Sequence, residues 1–184
     1  MTAPVTRMGL EDFLALPDID ERRLELIDGE VYEKMSARWG HSTLAGELYR
    51  LLCHFGFPGV EPRAIIGGTD DCSPSSPLPD VAFYLADPPG PEDWMRRPPD
   101  VAIEILSPGQ GRRDVRAKVD MYLRFGVRSV WVFDLHHESV DIFEGTSRRT
   151  LSRDSTLVTD AIPGVRIELA ALFDRALGRG AGRD

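Results

Sequence analysis

The chain has 184 residues, the length of one ordinary domain with a real hydrophobic core. An apolar fraction of 42% and a charged fraction of 28% exclude a disordered chain, and no apolar run approaches the length of a membrane span. The net charge of −8 argues against a simple basic polyanion binder, and any function on nucleic acid has to accommodate it, in part through carboxylates offset by a bound cation.

The first residues lack a basic head followed by an apolar stretch, so no secretory signal is expected. Two cysteines, Cys53 and Cys72, show neither metal nor redox spacing and point to a reduced, cytoplasmic setting. Of the 22 basic residues only Lys34 and Lys118 are lysines. Arginine stays protonated and makes a poor base, so the candidates for a lysine with a chemical role number just these two.

In chain order, Gly9 to Pro17 reads as a short helix stopped by Pro17. Arg23 to Ile27 and Glu30 to Met35 flank Asp28-Gly29, a hairpin signal whose alternation would turn Glu25 to solvent. From His41 to Phe55, Leu44, Leu48, Leu51, Leu52 and Phe55 recur at helical spacing, and Gly56-Phe-Pro-Gly reads as the turn that ends this helix. Arg63 to Gly67 reads as a strand and Asp71 to Leu78 as a Ser/Pro-rich loop. The apolar runs from Val81 to Ala86 and from Val101 to Leu106 have the pattern of strands buried on both faces in the middle of a sheet.

Arg113 to Phe125 predicts a second long helix with Val115, Val119, Tyr122 and Leu123 as its apolar stripe, ended at Gly126. Ser129 to Asp134 and Val140 to Phe143 form a second hairpin, Val165 to Leu169 an edge strand, and Ala171 to Ala176 a last short helix. The tail from 177 to 184 is expected to fray. This order predicts one domain, an α+β (α/β) mixed sheet with helices packed on it.

Asp80 opens the Val81 strand, and Glu104 sits inside the next one between Ile103 and Ile105. A carboxylate among such neighbours is costly to bury without compensation. If the two strands pair, both acids approach one end of the sheet, where two carboxylates and the backbone carbonyl of Ile105 suffice for a hard cation such as Mg²⁺ or Mn²⁺. On the following helix, Asp114, Lys118 and Tyr122 share one face at i, i+4 and i+8. Lys118 then stands where it orients or deprotonates an attacking water, or offsets charge on a phosphate.

Each residue also has a plainer use. Asp80 caps a turn after Pro79, Glu104 pairs with Lys118 as a structural ion pair, and Lys118 alone is a solvated helix residue. Asp114 is a first-turn acid and Tyr122 a core residue. His41 caps a helix or contacts substrate. Arg112, Arg113 and Arg116 form a solvated helix start or contact phosphate, and Gly109-Gln-Gly111 is a weak phosphate-loop signal. His54, His136 and His137 have no ligand spacing.

Pro79-Asp80, Ile103-Glu104-Ile-Leu-Ser-Pro108 and the segment Asp114 to Tyr122 together resemble the core of the Uma-type restriction endonuclease family, within the PD-(D/E)XK nuclease superfamily. Glu25-Leu-Ile-Asp-Gly-Glu30 with His41 resembles its amino-terminal signature, and Gly126-Val127 through Trp131 and Asp134 its next strand. The likeness runs from about Arg22 to Phe143 and rests on the set of segments. It implies a restriction-endonuclease-like fold, Mg²⁺- or Mn²⁺-dependent cleavage of DNA, Asp80 and Glu104 as metal-binding acids, and a place for Glu25 near the metal. One departure stands out: Leu106 occupies the position two residues after Glu104 where the superfamily motif has lysine, and the lysine of the Uma-type pattern is Lys118 on the following helix.

The partner implied is nucleic acid, DNA before RNA, with no membrane. Cutting both strands would call for a homodimer. The alternatives are an inactive nuclease fold that serves as a nucleic-acid or protein interaction module, and a metal hydrolase of another phosphate ester.

Overall fold

The computed structural model describes residues 7–68, 73–107 and 112–179, with the side chains of 112–114 outside the description. The chain begins with α1 (Leu10–Leu14), then the hairpin β1 (Leu24–Ile27) and β2 (Glu30–Glu33). Its turn is Asp28-Gly29, with φ of +49° and +82°, the left-handed pair that matches the twist of hairpin strands. Next comes α2 (Trp39–Leu52), with Leu44, Leu48 and Leu52 buried along one stripe. The remaining elements are β3 (Phe57–Val60), β4 (Val81–Tyr84), β5 (Val101–Ile105), α3 (Arg112–Phe125), β6 (Ser129–Asp134), β7 (Ser139–Glu144), β8 (Ser147–Ser152), β9 (Thr156–Leu157), β10 (Ile167–Glu168) and α4 (Leu169–Ala176).

Strands β3 to β8 form one sheet in sequence order. Neighbours run antiparallel except β5 and β6, which are parallel and joined through α3, as a parallel connection requires. Both central strands are buried on two faces. Val101, Ile103 and Ile105 face α2 and α4 together with Trp131 and Phe133, while Ala102, Val130 and Val132 face α3 and β1. Each large apolar side chain so buried stabilises by ~1.5–3 kcal/mol. Three of them on one face hold β5 in the middle of the sheet despite the carboxylate that its other face carries at position 104.

Three expectations are corrected. Gly56 to Gly59 is not a plain turn: Phe57–Val60 is the edge strand β3, paired to β4, with Pro58 tolerated because one side of an edge strand needs no partner. Gly56 permits the close approach, since a Cβ there would collide with the Tyr84 carbonyl and the Phe83 ring. Arg63 to Gly67 makes only single bridges, Ala64 to Met95 and Ile66 to Ser75. The strand read from Val165 onward is β10, which pairs with β9 in a separate small sheet before α4 begins. Strand β8 has no hydrophobic signal because it is an edge of charged and polar residues. No helix among the described residues is long and apolar enough to cross a membrane.

Candidate active site

The β4–β5 register pairs Val81 with Ile103, so Asp80 stands opposite Glu104 one step past the last ladder pair. The antiparallel pairing of β4 and β5 is therefore what brings the two acids side by side. Asp80 is fixed from within the sheet, its Oδ2 accepting the Ile105 N–H at 2.6 Å. Glu104 shares a face with Ala102 and projects toward α3. There Lys118 Nζ donates to its Oε2 at 2.9 Å and Tyr122 OH to its Oε1 at 2.7 Å. The i, i+4 spacing of Lys118 and Tyr122 is what lets one helix face hold both oxygens of one carboxylate.

The β1–β2 hairpin closes the site from the other side. Glu25 is buried, and its Oε1 lies 2.9 Å from Lys118 Nζ and accepts the Leu78 N–H at 2.7 Å. The solvent-facing position expected from alternation is thus overturned. Strand β1 is buried at all four positions because α3 and the Ser76 segment cover what would have been its outer face. From just past β2, Lys34 reaches Asp80 Oδ1 at 2.7 Å and donates to the Leu78 carbonyl at 2.7 Å. His41, in the first turn of α2, places Nε2 at 3.3 Å from Asp80 Oδ2. These groups line a cavity of about 460 Å³ that includes Glu25, Lys34, His41, Asp80, Glu104 and Lys118.

Burial pushes the Asp80 carboxyl up, but the His41 contact and the Lys34 ammonium outweigh it and hold it well below the usual carboxylate range. Glu104 goes the other way: burial, with Asp80 and Glu25 adding like charge, raises it against the pull of Lys118 and Lys34. Burial also works against the Lys118 ammonium, yet Glu104 and Glu25 on either side raise it above the ordinary lysine value. The two carboxylates thus favour the charged form of Lys118 in this arrangement. Burial next to Glu104 likewise raises Tyr122, which stays a hydrogen-bond donor.

Among the described residues, no three His, Cys, Asp or Glu side chains form a ready-made metal cluster. The oxygen donors available are the Asp80 and Glu104 carboxylates and the backbone of Ile105, a hard set that suits a cation which keeps several waters. One observation favours that fit. Asp80 Oδ1 is buried without a hydrogen bond, because Lys34 approaches it outside hydrogen-bond geometry and supplies charge alone.

With this geometry in view, a family model described as "Putative restriction endonuclease" matches residues 10–170. The chain belongs to the Uma2 family. Among solved structures, a crystal structure from Anabaena variabilis, titled a putative nuclease belonging to DUF820, superimposes with a TM-score of 0.79. It is 22% identical over 92% of this chain and 99% of that one, a likeness of fold. No curated protein matches the chain.

Within this Uma2 fold, Asp80, Glu104, Lys118, Glu25, His41 and Tyr122 come together, Glu25 against the solvent-facing position that alternation had given it. Ile105 also lines the cavity, and its N–H is the group that meets Asp80. Arg116 does not join them: it is exposed and pairs with Asp120 at 3.0 Å. The side chains of Arg112, Arg113 and Asp114, and the Gly109-Gln-Gly111 loop, lie outside the described residues. Cys53 is exposed and unpaired. Lys34 was visible only through the scarcity of lysine. Glu61, 3.4 Å from Lys34 Nζ, had no sequence signal, lying between the turn read at Gly56 to Gly59 and the strand read from Arg63.

Proposed function

We propose that this Uma2 protein is a nuclease that hydrolyses DNA phosphodiester bonds with Mg²⁺ or Mn²⁺ held by Asp80, Glu104 and the Ile105 carbonyl, working in the cytoplasm as a homodimer when it cuts both strands. The observation that carries the reading is the convergence of two buried acids from adjacent strands with both lysines of the chain in one cavity. A divalent cation bound there supplies a water that ionises near neutral pH and offsets charge on the phosphate under attack.

The protein's own groups do the positioning. Tyr122 and Lys118 hold the two oxygens of Glu104, while Ile105 N–H and His41 hold Oδ2 of Asp80, so neither acid has to reorganise when it takes up a ligand. Lys118, itself buried, contributes as a fixed positive charge next to Glu104. Carboxylates outnumber the ammonium groups in this cavity, so the charge that repels a phosphate would be offset at the site only with a divalent cation bound between the acids.

A second reading, a nuclease fold retained as a binding module, is favoured by one observation: each of the two acids already faces a lysine, and among the described residues no three-ligand cluster stands ready. Plasmid relaxation separates the two. The wild type is expected to nick supercoiled DNA only with Mg²⁺ or Mn²⁺, and Asp80→Ala and Glu104→Ala to abolish nicking while leaving the far-UV spectrum intact. A wild type that binds duplex equally with or without metal and never cuts it would sink the hydrolytic reading.

A further inference from the structure

Both lysines of the chain meet in one cavity, and each stands between two carboxylates: Lys118 between Glu25 and Glu104, Lys34 between Asp80 and Glu61. Every other basic residue is an arginine. The distinction has physical content. A guanidinium locks a carboxylate through a planar fork, whereas an ammonium is a compact charge whose three donors exchange partners one at a time.

The contacts of Lys34 are unequal. Its hydrogen bond to the Leu78 carbonyl is 2.7 Å and well formed. Its approach to Asp80 Oδ1, also 2.7 Å, lacks hydrogen-bond geometry and leaves that buried oxygen with charge compensation only. Glu61 Oε1 waits at 3.4 Å. Glu61 is built in beside Asp80: its N–H donates to the Asp80 carbonyl at 3.2 Å, its backbone has φ of +47°, and its side chain is held by Arg23.

We propose that Lys34 is an internal counter-ion that occupies Asp80 Oδ1 in the metal-free protein and competes with the divalent cation for it, with Glu61 as the carboxylate that takes over the ammonium when the cation binds. The inference rests on the metal reading of Asp80 and Glu104. It explains how a cavity rich in buried acid folds without metal: the ammonium groups balance it. Metal uptake is then an exchange, weaker than the same oxygen donors would give with no ammonium among them. Lys34 is in these terms a positioning residue, anchored at Leu78 throughout, and its effect is read in binding.

The test is calorimetric titration of the full-length protein with Mn²⁺ alone, alongside thermal melts without metal. Lys34→Met is expected to bind Mn²⁺ about tenfold more tightly than wild type, the weight of one charge-assisted contact no longer displaced. Its metal-free melting temperature should fall, and saturating Mn²⁺ should close most of that gap. Glu61→Gln is expected to weaken Mn²⁺ binding several-fold in the wild-type background and to have no effect in the Lys34→Met background, since there is then no ammonium to receive. If Lys34→Met does not fold without metal, Lys34→Arg and Glu61→Gln carry the test, both predicted to bind more weakly. Equal or weaker binding by a folded Lys34→Met, or a Glu61→Gln effect that persists without Lys34, overturns the counter-ion role while the metal site stands. No Mn²⁺ binding by any variant removes the metal site and the counter-ion role together.

Discussion

Replacing Lys118 by methionine removes the charge that separates two buried acids while keeping a side chain of similar length. In the native protein Lys118 Nζ sits 2.9 Å from both Glu25 and Glu104, and all three side chains are almost wholly buried. Breaking a buried pair from one side costs about 3–5 kcal/mol, because the remaining charge is left without a partner. In a chain of this size each kcal/mol shifts the melting temperature by about 2–4 °C, so Lys118→Met is expected to melt roughly 6–20 °C lower near neutral pH. The deficit has a sign in pH. Burial already raises Glu104 above its unfolded value of 4.5, and losing Lys118 raises it further. An acid whose folded pKa is raised binds its proton more tightly in the folded state, so the stability it gives is present in acid and lost as pH climbs from 4.5 through the folded pKa. The gap between variant and wild type should therefore narrow as pH falls from 8 toward 5. Calorimetric melts across that range are the assay. A Lys118→Met protein that melts within a degree or two of wild type at pH 7, or a gap that ignores pH, would refute the view that this ammonium holds the acids together.

Two further substitutions separate the support of the site from the support of the fold. Tyr122→Phe deletes a single buried hydrogen bond to Glu104 Oε1 at 2.7 Å, and the expected loss is about 1.5–3 kcal/mol in denaturant titration, with nicking reduced but not abolished. Arg63→Met should cost at least as much stability, since the buried guanidinium ties Asp20, the Leu24 carbonyl and Ser76 together and lies over the Phe13 ring, yet it should leave Mn²⁺ affinity unchanged because it does not line the cavity.

Most of the sheet could be read from the sequence because its central strands are buried on both faces and therefore apolar throughout. Val81 to Tyr84 and Val101 to Ile105 were legible for this reason, and so was Glu104, conspicuous as the one charge in such a run. Where the core contributes less, the pattern fades. Edge strand β8 carries arginines and serines, and β3 contains the Gly and Pro that otherwise signal a turn; neither strand advertises itself. The segment after α2 is pressed against Tyr84 by a glycine whose need is visible only once β4 is in place.

The site divides along a similar line. Residues whose partners lie on the same element were accessible: Lys118 and Tyr122 share a helix face, and that face meets Glu104 because a parallel crossover must return over the sheet. Glu25 was misjudged because alternation assigns a residue to one of two faces but is silent on what covers that face. Here α3 and the Ser76 segment cover it, and a residue read as solvated becomes the second acid on Lys118. Glu61 and Lys34 are harder still, for they meet through the backbone contact between Glu61 and Asp80, which links residues 19 apart with no periodic pattern between them. What did carry Lys34 into view was residue choice. A chain that uses arginine for nearly all of its cations and keeps lysine at two positions is using the ammonium for something a guanidinium does poorly. Both of those positions face an acid to which the proposed function assigns the cation.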